Sequence, residues 1–305
     1  MALGSNHVTN TTAATFIPEL WSDEIIAAYK QNLVMANLVS KMSFKGKKGD
    51  TLHIPKPTRG SASVKAASSQ VTLQAATESE VQVLVNKHYE YSRLIEDITE
   101  AQALASLRKF YTGDAGYALA KQVDTDLIQL GRGVNGGSGT AAYNKAVLAG
   151  DGSTLYVDGT NVGNAITDAG IRKIIQTLDD ADVPMDGRVL VLPPVARNTM
   201  MGLARFTEQA FTGETGGGNT IRNGEIGNVY GVKVFVTTNA DTATTNTTRI
   251  GMMFHKDAFV LAEQMGVRSQ TQYKQEYLGT LFTSDMLYGV KELRDEAAVA
   301  IAVPA

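Results

Sequence analysis

The sequence predicts an α+β chain on three observations. Residues 51–88 hold two stretches in which apolar and polar side chains alternate, Leu52 and Ile54 in the first and Val81, Val83 and Val85 in the second; a period of two is that of a strand with one buried face. Across 97–130 the period lengthens to that of a helix, with Ile98, Ala101, Ala105, Leu119, Val123, Leu127 and Leu130 on one stripe. Beyond residue 164 short helical and strand segments alternate, with no internal repeat.

Residues 1–15 are polar, rich in Thr and Asn and without period, which predicts a flexible arm, with ordered structure from about Phe16. Over 18–30, Leu20, Trp21, Ile25, Ala28 and Tyr29 fall at helical spacing, and Asp23 and Glu24 lie early, where the helix dipole favours acids. A second short helix is predicted over 32–39 from Leu33, Ala36 and Val39, ahead of a basic turn from Lys45 to Asp50. Between the two alternating stretches, residues 58–70 (TRGSASVKAASSQ) have too little apolar mass for a core, so 51–88 reads as a long two-stranded arm with a mobile tip. Two strands alone are marginal in water. Such an arm needs a surface to rest on, which is the first sign of assembly.

In the long helix, Gly113 and Gly116 each cost about 1 kcal/mol relative to alanine, which predicts a break or bend near 112–116. Gly131-Arg132-Gly133 ends it, and the Gly/Ser/Asn tract 133–164 reads as loop. Ile171, Ile174, Ile175 and Leu178 then mark a helix, closed by Pro184 and Gly187 before the apolar strand 189–192. Pro193 and Pro194 stop that strand and start a short helix running to Leu203. After a glycine-rich loop (212–224), Val232, Val234 and Val236 give a strand, and a Thr/Asn tract covers 237–248. Strands near 249–254 and 266–273, a helical stretch around 278–287, and strands near 288–293 and 298–303 complete the prediction.

Composition mostly excludes. A formal net charge of -3 from 28 Lys+Arg and 31 Asp+Glu provides no global basic field for phosphate neutralisation. The absence of cysteine removes disulfides, thiolate nucleophiles, zinc fingers and iron–sulfur clusters together. No apolar run approaches the roughly 20 residues that cross a bilayer. The opening MALGSNHVTN lacks the basic and apolar parts of a secretory signal, so a chain that is cytosolic when made is expected. Glycine is frequent, 29 of 305 residues, against a usual share of about 7%, and concentrates with Thr, Asn and Ser in tracts between periodic segments.

The motifs that would carry chemistry are incomplete. The glycines at 213–218 lack the lysine and hydroxyl that follow a phosphate-binding P-loop, and those at 131–139 follow a helix instead of preceding one. Gly136-Gly137-Ser138-Gly139-Thr140 misses the last glycine of a nucleophile elbow. His7, His53, His88 and His255 fall into no metal-ligand spacing, with His53 and His88 both on the paired-strand segment. Asp124 and Asp126, two apart on a helix, face different directions, and solvation at the surface is the expectation for both. Asp179, Asp180 and Asp182 sit at a helix C-terminus, where negative charge opposes the dipole; an ion pair, plain solvation or a contact with a cation or partner would each answer it. No catalytic, cofactor-binding or metal residue is therefore assigned.

The charged residues left over suggest contact between copies. Lys41, Lys45, Lys47 and Lys48 read as a solvated turn. Along the arm, Lys56, Arg59 and Lys65 are spaced by small residues, so the arm can lie flat on a partner while its charges set the register. Glu96, Asp97 and Glu100 at the start of the long helix offer acidic counterparts on a neighbouring subunit.

The order of these pieces resembles the major capsid protein of tailed bacteriophages over nearly the whole chain. The most specific matches are Leu178-Asp179-Asp180-Ala181-Asp182-Val183-Pro184 running into Gly187-Arg188-Val189-Leu190-Val191-Leu192-Pro193-Pro194, and Gly227-Asn228-Val229-Tyr230-Gly231-Val232-Lys233-Val234. The segments from Ile250 to Ala258, Tyr288 to Lys291 and Ala298 to Ile301 are similar to that family's final strands. The resemblance implies an N-terminal arm (1–45), an extended two-stranded E-loop (46–92), a P domain on a spine helix (93–164 with 291–305) and an α+β A domain (165–290). It also implies a non-enzymatic coat protein that assembles through pentamers and hexamers into an icosahedral shell around double-stranded DNA. Scaffolding, portal and decoration proteins are its implied partners, with no cofactor and no membrane, and assembly takes place in the host cytoplasm. The glutamate, lysine and asparagine of the family's covalent cross-link have no match here. Two alternatives remain: a nanocompartment shell similar to encapsulins, and a cytosolic α+β enzyme built on 165–290, for which no acid–base constellation is present.

Overall fold

The computed structural model describes residues 33–43, 45–46, 48–57, 60–71, 73, 78–97, 106–134, 147–148, 150, 152, 154–157, 162–203, 228–243 and 248–305. In chain order its strands are β1 (Ser40–Ser43), β2 (Thr51–Lys56), β3 (Ser79–Leu84), β4 (Lys87–Glu96), β5 (Val147–Leu148), β6 (Arg188–Leu192), β7 (Asn228–Val229), β8 (Val232–Val236), β9 (Thr248–His255), β10 (Phe259–Lys274), β11 (Gly279–Glu292) and β12 (Ala298–Pro304). The helices are α1 (Ser106–Gln129), α2 (Asp168–Asp180) and α3 (Pro194–Met201).

Two sheets make the body and a third makes the arm. The six-stranded sheet runs β5-β12-β9-β6-β8-β7, with β12, β9 and β6 antiparallel at its centre and β8 parallel to β6. Its central strands read as continuous apolar runs because both faces are covered. Val189, Val191, Ile250, Met252, Phe254, Ala298, Ala300 and Ala302 pack in one cluster with Leu119, Val123, Leu127 and Ile128 of α1. The alternate residues Leu190, Leu192, Met253, Val299, Ile301 and Val303 pack with Ile171, Ile174 and Leu178 of α2 and Ala196 and Met200 of α3. Alanines at every second position of β12, Ala298, Ala300 and Ala302, face the cluster that α1 shares. Thr167 caps α2, its hydroxyl accepting from the Gly170 amide at 3.1 Å. At the other end the Val183 amide returns to the Leu178 carbonyl (3.1 Å), with Asp182 in the left-handed region at φ 55.

The four-stranded sheet runs β1-β10-β11-β4, built on the long β10–β11 hairpin with β1 parallel to the start of β10. The β2–β3 pair forms its own two-stranded sheet. Val83 and Val85, with Leu52 and Ile54, pack on Val260, Ala262 and Leu287, so the base of the arm rests on the chain's own four-stranded sheet. Gly289 permits that approach: a Cβ there would stand 2.2 Å from the Leu84 carbonyl oxygen.

Several expectations are corrected. In place of a helix over 32–39 there is one 3-10 turn, Met35–Asn37, followed by β1. α1 runs unbroken through Gly113 and Gly116, around which a Cβ would meet nothing within 4 Å; packing along the later turns of the helix outweighs about 1 kcal/mol per glycine. From Gly279 on, the stretch 278–287 is strand β11, its Thr280, Phe282 and Thr283 suiting the pleated ladder to β10 and β4. Residues 87–96 form β4, so His88 lies in the four-stranded sheet, away from His53 on the arm. Within the tract 133–164, Val147–Leu148 is a strand parallel to β12. The predicted arm 1–15, the helix over 18–30 and the glycine-rich loop 212–224 lie outside the described residues.

Candidate assembly surface

Beyond its packed base the arm carries uncovered apolar residues. β2 and β3 pair from Thr51 opposite Leu84 to Lys56 opposite Ser79, and His53 Nδ1 lies 2.9 Å from Glu80 Oε2 across the ladder. Gln82, then His53, hold the Glu80 carboxyl below its ordinary range. Beyond the ladder, Val64, Val71 and Leu73 are exposed by 101%, 66% and 92%. Lys56 ends β2, exposed, and Lys65 is exposed on the distal stretch, whereas Arg59 lies outside the described residues.

Of the acidic residues, Glu96 ends β4 opposite Gly279, exposed. Asp97 follows it: its amide donates to the Leu278 carbonyl at 2.9 Å, and its Oδ2 accepts the Tyr273 hydroxyl at 2.8 Å. Glu100 lies outside the described residues. Glu96 and Asp97 therefore sit beside the tip of the β10–β11 hairpin, where Tyr273, Tyr277 and Leu278 are exposed. No ion pair joins Lys56 or Lys65 to Glu96 or Asp97 among the described residues.

The spine helix holds the charges that residue spacing misplaced. Asp124 and Asp126 are 1% and 4% exposed, not solvated. Asp124 Oδ1 accepts the Val34 and Met35 amides at 3.1 and 2.8 Å, and Oδ2 accepts Asn239 Nδ2 at 3.1 Å, so one carboxylate ties the incoming chain to α1 and to the turn after β8. Burial pushes this carboxyl above its ordinary value, against the pull of Asn239 and the two amides. Asp126 accepts the Tyr288 hydroxyl (2.7 Å), Lys87 Nζ (3.0 Å) and Gln122 Nε2 (3.1 Å), which joins α1 to β11 and β4. Burial, then Asp126, push the Tyr288 phenol up. The two aspartates do face different directions, as their spacing requires, and both directions are inward. The available signal was their place inside the most apolar stretch of the helix, Leu119 to Leu130.

Elsewhere charge is used in the same way. Asp179 answers its unfavourable helix end with Arg188, whose Nη2 stands 2.7 Å away and whose guanidinium also donates to the Val183 and Pro184 carbonyls. Arg268 makes a two-pronged pair with Asp285 (3.1 and 2.8 Å), which His88 joins at 3.3 Å; the guanidinium above all holds that carboxyl down. Lys45, placed in a solvated turn by its sequence, pairs with Glu263 at 3.1 Å. Among the described residues no group of three or more His, Asp or Glu is arranged to hold a metal, and no helix is long and apolar enough to cross a membrane.

A sheet covered on both faces, buried Asp124, Asp126 and Arg188 that tie its segments together, and an arm that carries bare apolar side chains suit a structural subunit better than a catalytic one. The chain belongs to the phage capsid protein family, whose model matches residues 14–303. Its structure is similar to that from Mycobacterium phage Che8, at 24% identity and a TM-score of 0.75 over 94% of this chain and 97% of that one. It is similar also to the capsid of cyanophage P-SCSP1u (17% identity, TM-score 0.73, 99% and 96% covered) and to that of cyanophage Pam1 (14%, 0.73, 99% and 99%). No curated protein matches the sequence. The fold is the phage capsid fold, and the chain is a structural major capsid protein of the virion.

Proposed function

We propose that this capsid protein assembles without bond chemistry, through pentamers and hexamers, into an icosahedral shell that encloses double-stranded DNA and grips it weakly. Assembly takes place in the host cytoplasm with scaffolding, portal and decoration proteins. Its parts are an N-terminal arm (1–45), an E-loop (46–92), a P domain (93–164 with 291–305) and an A domain (165–290). The observation that carries this reading is the arm, seated at its base on Val260 and Leu287 of its own sheet yet bearing exposed Val64, Val71 and Leu73 farther out. Burying three such side chains is worth about 1.5–3 kcal/mol each, and a neighbouring copy supplies the cover. On that neighbour Lys56, Arg59 and Lys65 meet Glu96, Asp97 and Glu100, whose charges set register and partner choice more than affinity. A shell closes because each such contact is repeated by rotation.

Sedimentation velocity of the purified protein, with negative-stain imaging of any fast fraction, tests the shell: closed particles are expected, and a monomer or dimer that persists beside its scaffolding partner refutes it. Nuclease-protected DNA inside the particles separates a genome shell from a protein-filled compartment. Lys56→Glu with Lys65→Glu is expected to leave unassembled subunits, and adding Glu96→Lys to restore particles. Unchanged assembly in the double variant refutes the charge pairing alone.

A further inference from the structure

The two body sheets meet at a short joint: β11 ends at Glu292 and β12 begins at Ala298. Glu292 stands opposite Phe259 in the ladder, and the next two amides, of Leu293 and Arg294, both donate to the Ala258 carbonyl, at 2.8 and 3.4 Å. The Glu292 carboxyl turns into this joint. Its Oε1 is buried with no hydrogen-bond partner among the described residues, and the group is hydrogen-bonded to the Asp295 carboxyl. Its Oε2 would lie 3.0 Å from a Cβ on Gly133, at the end of the spine, so the carboxyl fills the space that glycine leaves.

Two carboxyl groups in hydrogen-bond contact need a proton between them. Of the charges around Glu292, Lys291 on its own strand favours ionisation, while Asp295 and Glu296 in the following turn oppose it. On the spine side the Arg132 guanidinium is engaged by Asp241 at 2.9 Å, and in the turn before β10 Asp257 lies 3.7 Å from His255. Lys256 completes the charged groups of that turn.

We propose that Glu292 is a proton-operated latch on the joint between the two sheets: protonated, it bridges to Asp295 and lets β11, the spine end and the 293–297 turn close together; ionised, it drives the joint toward an open arrangement in which it reaches water. This goes beyond the shell reading and holds for the free subunit as well as the assembled one. Burial, then Asp295, raise the carboxyl from 4.5 to about 7. The closed form thus holds the proton more tightly than an open form with the ordinary value. Closure is favoured fully below about 4.5, weakens as pH rises to about 7, and changes no further above that. One proton limits the effect to tenfold per pH unit, and partial exposure keeps it below that ceiling.

Hydrogen–deuterium exchange of the full-length protein, corrected for intrinsic rates, tests the latch. Protection at residues 293–297 is expected to fall several-fold between pH 5 and pH 7 and to level off above. Glu292→Gln, a permanent donor to Asp295, is expected to hold protection high and flat. Asp295→Asn, which removes the nearest like charge, is expected to shrink the fall, and it decides the matter should the glutamine variant not fold. Flat protection in the wild type, or an undiminished fall in either variant, overturns the proposal.

Discussion

Replacing Asp124 tests the idea that buried charge holds the capsid frame together. Asp124→Ala removes the acceptor of three buried donors, the Val34 and Met35 amides and the Asn239 amide group. Each unmet donor costs about 1–3 kcal/mol, and loss of the buried charge returns part of that, so a net loss of about 3 kcal/mol is expected. Asp124→Asn keeps an oxygen for the two backbone amides but turns an NH2 toward that of Asn239, and costs about 1 kcal/mol. Urea unfolding of subunits below their assembly concentration reads both values, and exchange at residues 33–39 shows whether the incoming chain detaches. The pH dependence has a fixed sign. Because burial raises the carboxyl above 3.8, its contribution to stability is complete below that value and declines as pH climbs through the raised one. The asparagine variant, carrying no proton to lose, has a flatter curve over that window. An alanine variant within about 0.5 kcal/mol of wild type, or identical pH curves for wild type and asparagine, refutes the reasoning.

Three further outcomes follow from single residues. Gly289→Ala puts a Cβ 2.2 Å from the Leu84 carbonyl oxygen, and separating the arm base from β11 is expected to cost about 3 kcal/mol and to speed proteolysis at 79–86; an unchanged melt and digestion pattern refutes the close approach. Arg188→Met leaves the Val183 and Pro184 carbonyls without their donor and the part-exposed Asp179 without its cation, a loss of about 2 kcal/mol by thermal unfolding, whereas a shift under about 0.5 kcal/mol would show that these bonds are dispensable. Asp182→Gly relieves a left-handed non-glycine residue and removes a negative charge from a helix C-terminus, so the urea midpoint is expected to rise by the equivalent of about 1 kcal/mol; a fall refutes it.

What the sequence disclosed follows how each element is buried. β2 and β3 alternate, α2 repeats at three and four, and β6 and β12 are apolar on both faces, so one-dimensional pattern suffices for them. The outer half of β10 leaves little imprint because its side chains are exposed on both faces, and β4 because its half-buried face is Lys87, Tyr89 and Tyr91 instead of an aliphatic alternation; ladder hydrogen bonds hold both. β11 was misplaced as helix in part for a related reason: its Thr, Ser and Asp residues are chosen by cross-strand partners, such as Ser284 beside Ser269 and Asp285 beside Arg268. The two spine aspartates show the limit of spacing rules, which state that residues two apart diverge but not whether either direction leads to solvent. Of the arm, the two paired strands were legible. Its seat on Val260, Ala262 and Leu287 was not, since those residues lie more than 170 positions away in the chain.

The chain divides its charge between two uses, and the division explains how one subunit can be both stiff and associative. Inside, Asp124, Asp126 and Arg188 are satisfied by amides, hydroxyls and carbonyls from distant segments, so moving any of them breaks several bonds together. Outside, Lys56 and Lys65 are exposed on the arm that bears bare Val64, Val71 and Leu73, and Glu96 is exposed beside the β10–β11 tip; closing them into ion pairs within one subunit would gain at most about 1 kcal/mol each. Under the proposed assembly, a neighbour that covers the same groups would exclude water from apolar surface and fix register in one step. A capsid subunit needs that asymmetry: contacts strong enough within the body to keep its shape, and individually weak at the arm, so that misplaced copies dissociate and correctly placed ones accumulate.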